Sequence, residues 1–238
     1  MSHKSIVILT GAGISAESGL PTFRGNGDGL WHNMRPEDVA TPEAFQANPT
    51  LVLNFYNERR GHYFQESIQP NPGHYALAKL QRQFSGEVFL VTQNIDGLHE
   101  RAGSPQVCHM HGELTRMFCT SCLSRFAITG DILVTDPCTE CGQTGGLRPD
   151  IVWFGEMPMH METIHRALTH CDLFAAVGTS GCVYPAAGFV ELARDHGAHT
   201  VELNLEPSEV QNHFAEHLHG RAAQTLPAWV DTLLASNR

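Results

Sequence analysis

Two cysteine pairs, Cys119-Thr120-Ser121-Cys122 and Cys138-Thr139-Glu140-Cys141, stand fifteen residues apart. Each pair offers two thiolates from one turn, and two such turns make the tetrahedral donor set of a structural zinc ribbon. Four protein ligands leave no open position, so this zinc folds its segment and does no chemistry. No thioredoxin-like βαβ pattern surrounds the pairs, which weakens a redox reading. Cys108, Cys171 and Cys182 are isolated and read as small apolar packers. Reactive chemistry needs other residues. In His109-Met110-His111-Gly112-Glu113, a histidine beside glycine at a strand end can serve as a general base. With 15 histidines in the chain, that position alone reads more readily as a packing or surface residue, and the strand-end turns nearby favour the base. Gly11-Ala12-Gly13-Ile14-Ser15 follows an apolar strand, the arrangement that turns backbone N–H groups towards a diphosphate. A hydride-transfer fingerprint would place an acid about 20 residues further on. Here residues 22 to 40 read as loop instead, with Trp31 and Pro36 among glycines. A dinucleotide is therefore expected in a role other than hydride carrier.

Three polar turns complete this set: Gln93-Asn94-Ile95-Asp96, Gly178-Thr179-Ser180-Gly181 and Asn204-Leu205-Glu206. Each ends a strand, where open α/β sheets bind ligands, and their amides and carboxylates suit a ribose and a carboxamide. Singly, each could be an ordinary capping turn; together with the glycine loop they converge on one crevice. Tyr56 and Arg59 lie three apart on a helix and share a face, and a phenol beside an arginine fork suits a carboxylate. From the helix alone, an exposed arginine on an amphipathic surface is the plainer reading.

The elements that must position these groups alternate. Strands are predicted at 5–10, 88–92, 107–110, 173–178 and 200–205. Thr41-Pro42, Asn48-Pro49 and Asn71-Pro72 start helices, the second running into the mid-60s and the third ending near 85. Further helices are predicted at 98–102, 160–170, 185–195 and 226–236. This order implies an α/β fold, a Rossmann-like doubly wound parallel sheet with a smaller lobe made of a helical insertion and the zinc ribbon. The whole of 1–238 reads as one catalytic unit. Its core is expected at about 1–26, 86–112 and 148–238, and the small lobe at about 27–85 and 113–147.

Composition excludes several classes. A chain of 238 residues with 42% apolar and 17% charged residues can bury a sizeable core. A net charge of −10 argues against direct nucleic-acid binding and leaves room for basic, lysine-bearing partners. No apolar run reaches the roughly 18 residues of a membrane span. The start at Met1-Ser2-His3-Lys4 runs into the first strand without room for a leader. Unpaired cysteines suit a reducing compartment, so a cytoplasmic location is expected.

The glycine stretch, Thr22-Phe23-Arg24, Gln93-Asn94-Ile95-Asp96, His109-Met110-His111-Gly112, the cysteine quartet, Gly178-Thr179-Ser180 and Asn204-Leu205-Glu206 occur in the order and spacing of a sirtuin. The likeness runs from about residue 5 to about 235, and the chain most resembles the short bacterial CobB type. The resemblance implies an enzyme that consumes NAD as co-substrate and removes acyl groups from protein lysines. It implies that Asn94 and Asp96 hold the nicotinamide and ribose, with Ile95 pressing on the nicotinamide amide. His111 would take a proton from a ribose hydroxyl, which then attacks the alkylimidate formed with the acyl oxygen. The products would be free lysine, nicotinamide and O-acyl-ADP-ribose.

The same resemblance assigns Gly11, Ala12, Gly13, Glu17, Thr22, Phe23, Arg24, Trp31, Gln93, Gly178, Thr179, Ser180, Asn204, Leu205 and Glu206 to the cofactor. Phe23 would exclude water, and Arg24 would meet phosphate or the acids that order its loop. Ala222 is taken over Ala223 as the adenine contact from its spacing to Gly220. Tyr56 and Arg59 match the pair that binds the acyl carboxylate in the branch removing succinyl and malonyl groups, with Ala40 as the small residue that widens the pocket. Val152, Phe154, Gly155, Glu156 and Val183 would flank an acyl-lysine substrate bound as an extended strand, while Trp153 is partly a packing residue. An NAD-dependent ADP-ribosyltransferase and a non-enzymatic NAD-sensing module are the alternatives.

Overall fold

The computed structural model describes residues 3–22 and 34–236. Its larger sheet is built from apolar strands, because a parallel sheet covered on both faces buries every side chain. Strand β1 (Ser5–Thr10) pairs in parallel with β2 (Glu87–Thr92) on one side and β7 (Leu173–Val177) on the other. The order is β3-β2-β1-β7-β8-β9, with β3 (Cys108–His109), β8 (His199–Asn204) and β9 (Glu216–His219). Side chains alternate across it. Ile6, Ile8, Leu90 and Val177 pack under α4 (Pro72–Gln83) and α8 (Ala222–Ser236), while Val7, Leu9, Val91 and Phe174 pack under α6 (Met161–Leu168) and α7 (Phe189–Asp195). Strand order reverses between β1 and β7, so a ligand crevice opens at their C-terminal ends.

The smaller lobe combines α1 (Pro36–Val39), α2 (Pro42–Ala47) and α3 (Pro49–Tyr63) with an antiparallel sheet in the order β5-β4-β6. These strands are β4 (Gly112–Cys119), β5 (Arg125–Ala127) and β6 (Leu147–Ile151). Thr41 and Asn48 cap α2 and α3 through their side-chain oxygens, and a proline opens each helix. Buried Arg60 ties α3 to the ribbon: its Nε donates to the Leu114 carbonyl at 2.8 Å and its Nη1 to the Gly130 carbonyl at 3.1 Å. Asn57 accepts from the Ile132 amide and donates to the Ile132 carbonyl, both at 3.0 Å.

Some sequence expectations change. Residues 72–83, placed in the small lobe, form α4, whose Ala76, Leu77 and Leu80 are part of the main-sheet core. Helix α8 begins at Ala222, before residue 226, with Pro227 inside it. Strand β9 and the small antiparallel sheet went unforeseen. Cys171 is buried, but Cys182 is exposed and so does not pack as expected.

Candidate active site

The crevice is a cleft of about 1100 Å³, at the upper end of the small-molecule size class. Its floor is where the loops after β1 and β7 touch. The Gly11 amide donates to the Val177 carbonyl at 2.9 Å, and the Gly13 amide to the Gly178 carbonyl at 2.8 Å. A Cβ on Gly13 would lie 2.6 Å from Gly178 Cα, and one on Gly178 would lie 2.4 Å from the Ile14 nitrogen. Gly178 also takes φ +61°, so a side chain there is disfavoured by space and by conformation alike. These glycines thus let two loops interlock, beyond any approach to a diphosphate. The chain continues in two short 3₁₀ turns, Ala12–Ile14 and Ala16–Ser18.

Ser15 joins the polar groups that follow. Its hydroxyl donates to Asp96 Oδ2 at 3.0 Å and accepts from Asn94 Nδ2 at 3.2 Å. Asn94 Nδ2 also reaches the Gly11 carbonyl, and Asp96 Oδ1 accepts from the Leu98 amide, which opens the short helix α5 (Leu98–Arg101). Burial raises the Asp96 carboxyl above its ordinary range, and the Leu98 and Ser15 hydrogen bonds offset only part of that. His111 lines the cleft, with Nδ1 3.1 Å from the Gln93 carbonyl. That contact fixes Nδ1 as the protonated nitrogen and leaves the Nε2 lone pair free. Burial holds the His111 imidazole below the usual histidine range, so it is neutral at neutral pH. His109 lies behind: burial would lower it, but Glu100, 2.8 Å from Nε2, raises it overall.

The other residues expected to meet the cofactor are found along the cleft where they are described. Gln93 Nε2 donates to Thr179 Oγ1 at 3.1 Å, and Asn204 Nδ2 to the Thr179 carbonyl at 2.7 Å. Ala12, Thr22, Ile95, Ser180, Leu205, Glu206 and Ala222 line the cleft. Glu17 lines it too, but its Oε2 accepts from the Ala223 amide at 2.9 Å and caps α8. Phe23, Arg24 and Trp31 lie outside the described residues. This run of amides, hydroxyls and carboxylates fits the hydroxyl-rich surface of a dinucleotide.

Tyr56 and Arg59 project into the other end of the cleft. The Tyr56 hydroxyl accepts from Trp153 Nε1 at 3.0 Å, leaving its own hydrogen to donate. Burial pushes its pKa well up, so it stays a phenol. The Arg59 guanidinium sits 3.2 Å over the Phe55 ring and gives one bond, Nη1 to the Phe55 carbonyl at 3.0 Å. Its Nε and Nη2 are buried without partners, and burial lowers its pKa to about 10. A half-buried cation with two inaccessible, unpaired nitrogens fits an anion. Ala40 lines the pocket, and its carbonyl accepts from the Phe154 amide at 3.0 Å. Val152, Phe154, Gly155 and Val183 line the cleft as expected. The Glu156 carboxylate, however, is spent internally, on buried Arg148 at 2.7 and 2.9 Å and on the Trp153 amide. Trp153 is a buried packing residue, as the sequence reading allowed.

In the ribbon, Cys119 Sγ and Cys141 Sγ are 3.7 Å apart, as are Cys122 Sγ and Cys138 Sγ, and all four sulfurs lie within 4.8 Å of one another. A tetrahedron with Zn–S of about 2.3 Å has edges of about 3.8 Å, so the quartet fits zinc and not disulfides. Zinc removal by a strong chelator is expected to cost several kcal/mol and lower the melting temperature by about 10 °C or more. An unchanged melting curve with the metal gone would refute a structural ion.

Sequence reading missed Ser15 as the link between Asn94 and Asp96, and Arg221 at the cleft wall. Ser15 sits in the glycine stretch, yet nothing in its spacing marks partners some 80 residues away. A family profile described as the Sir2 family matches residues 11–185. An NAD-dependent protein deacylase of Vibrio cholerae is 53% identical over 236 residues, covering 99% of this chain and 96% of the relative. A solved Sir2 homolog–NAD complex is 38% identical with a TM-score of 0.89, covering 99% of this chain and 91% of that one. Another solved structure, Sir2Af2 bound to a myristoylated histone peptide, is 31% identical with a TM-score of 0.76, covering 99% and 94%.

Proposed function

The chain belongs to the Sir2 family and is an NAD-dependent protein deacylase, and on that premise we propose that it removes succinyl and malonyl groups from lysine as well as acetyl. The observation that carries this reading is Arg59, a half-buried cation whose buried Nε and Nη2 lack partners, on the same cleft lining as Tyr56. A dicarboxylic acyl group would supply the missing acceptors, one oxygen to the guanidinium and one to the phenol.

NAD, when bound, supplies a ribose carbon made electrophilic by departure of nicotinamide. The protein's own groups prepare the rest. Asn94 and Asp96 are held by Ser15 at a fixed spacing and orient the sugar and the carboxamide. His111 Nε2 accepts a proton from a ribose hydroxyl, turning that hydroxyl into a nucleophile. The substrate lysine enters between Val152–Glu156 and the Val183 segment as an extended strand. The amides of Val152, Trp153, Phe154 and Glu156 are already bonded within the chain, so the incoming strand meets chiefly carbonyls. No described helix is long and apolar enough to cross a membrane. Four cysteines committed to a metal and not to disulfides suit a reducing compartment, which supports a cytoplasmic location.

The test is mass spectrometry of acetyl-, succinyl- and malonyl-lysine peptides with and without NAD. All three should lose the acyl group only with NAD, with transfer to ADP-ribose. Loss of acetyl alone would sink the dicarboxylic reading. Transfer of ADP-ribose to protein without acyl loss would indicate the transferase alternative.

A further inference from the structure

On the far edge of the main sheet, two strands bring together three groups that the deacylase chemistry does not use. His217 and His219 are two apart on β9, so both project from one face, and Glu202 of β8 is the register partner of His217. His217 Nδ1 lies 3.4 Å and His219 Nε2 lies 3.6 Å from Glu202 Oε2, with all three donor atoms within 4.8 Å of one another. The Glu202 side chain is 1% exposed, and the two imidazoles are 36% and 41% exposed. Its Oε1 accepts from the Ser208 amide at 3.1 Å. Its Oε2 faces only the two imidazoles, at distances at or beyond the limit of a good hydrogen bond. A buried carboxylate so weakly served has a strong unmet demand for positive charge. Three donors on a tetrahedral ion with bonds of about 2.1 Å would stand about 3.4 Å apart, close to the 3.4 and 3.6 Å from Glu202 Oε2 to the two imidazoles.

We propose that Glu202, His217 and His219 form a second divalent-cation site, open to exchange and selective for zinc-like ions. Two imidazoles and one carboxylate select Zn²⁺, Ni²⁺ or Cu²⁺ over Mg²⁺ and Ca²⁺, which prefer all-oxygen shells. Three protein ligands leave one position to water, so this ion exchanges, unlike that of the four-thiolate ribbon. The site is also wired to the cleft. Glu202 holds the Ser208 amide, and the Gly220 amide, next to His219, donates to the Asn204 carbonyl at 2.9 Å; Asn204, Ser208 and Gly220 all line the cleft. An ion bound here therefore acts on the NAD-facing loop, a coupling that rests on the NAD reading of the cleft.

Equilibrium dialysis of the full chain against Zn²⁺, followed by elemental analysis, tests the site. Wild type should hold one ion beyond the ribbon's own. E202Q and the double variant H217N/H219N should bind it at least about tenfold more weakly, with unchanged melting curves. Dialysis against Mg²⁺ should add none. A single zinc in wild type, or an equal second zinc in all three proteins, overturns the proposal. Saturating Zn²⁺ should then shift the KM for NAD in wild type and not in E202Q. Equal responses would overturn the coupling and leave the site standing.

Discussion

Exchanging His111 for asparagine is expected to lower kcat by about 10²- to 10⁴-fold while leaving NAD affinity within a few-fold. Asparagine can still donate to the Gln93 carbonyl, as Nδ1–H does here, but it has no basic lone pair to offer the ribose hydroxyl. The pH profile adds a second check. Burial holds His111 below the usual histidine range, so wild-type kcat should be level at neutral and mildly alkaline pH. It should fall on the acid side, as Nε2 takes up a proton and ceases to be a base. The variant should lack that acid limb. A variant within tenfold of wild type, or one that keeps the limb, would remove His111 from the role of general base.

The second large effect concerns Arg59. Replacing it by methionine is expected to cut kcat/KM on a succinyl-lysine peptide by about 10²-fold, the scale of a buried charge-assisted contact. The acetyl-lysine value should stay within about threefold. Tyr56→Phe should lose about five- to tenfold on the succinyl peptide, one neutral hydrogen bond's worth. Equal losses on both acyl groups would refute the carboxylate clamp. Folding does not confuse the result in Arg59→Met. The guanidinium already has two unpartnered buried nitrogens, so the thioether should be neutral or stabilising. A more stable but less discriminating enzyme is the signature to look for.

Much of this was legible because local rules and tertiary structure agree. The central strands β1, β2 and β7 are largely continuous apolar runs, and such runs have few other places to go. Cys119, Cys122, Cys138 and Cys141 carry their chemistry in their spacing. Gln93 to Asp96 and Asn204 to Glu206 were found because a strand end is a functional address in this class of fold. What stayed hidden lay in contacts between distant segments. β9 reads Glu-His-Leu-His, with no β-branched residue, and becomes a strand only because β8 offers it an edge. Helix α4 follows the small-lobe helices in sequence, yet its apolar stripe is claimed by α8 and the main sheet. Glu156 lines the cleft as its stretch predicts, but nothing local marks buried Arg148 as the partner of its carboxylate. Adjacent Arg59 and Arg60 differ as well: one lines the cleft and the other stitches α3 to the ribbon.

The interlocked glycines at the cleft floor bear on how this motif can be moved between proteins. Gly11 and Gly13 do not make a self-contained cassette. Half of their shape is the mould supplied by Gly178, in a loop more than 160 residues away. A graft of residues 10–22 onto another sheet would carry the pattern without its counterpart. It would succeed only in a host whose neighbouring strand also ends in a left-handed glycine. Recombination within the family faces the same rule: crossovers that separate the first loop from the seventh strand should be tolerated only between parents that match at both.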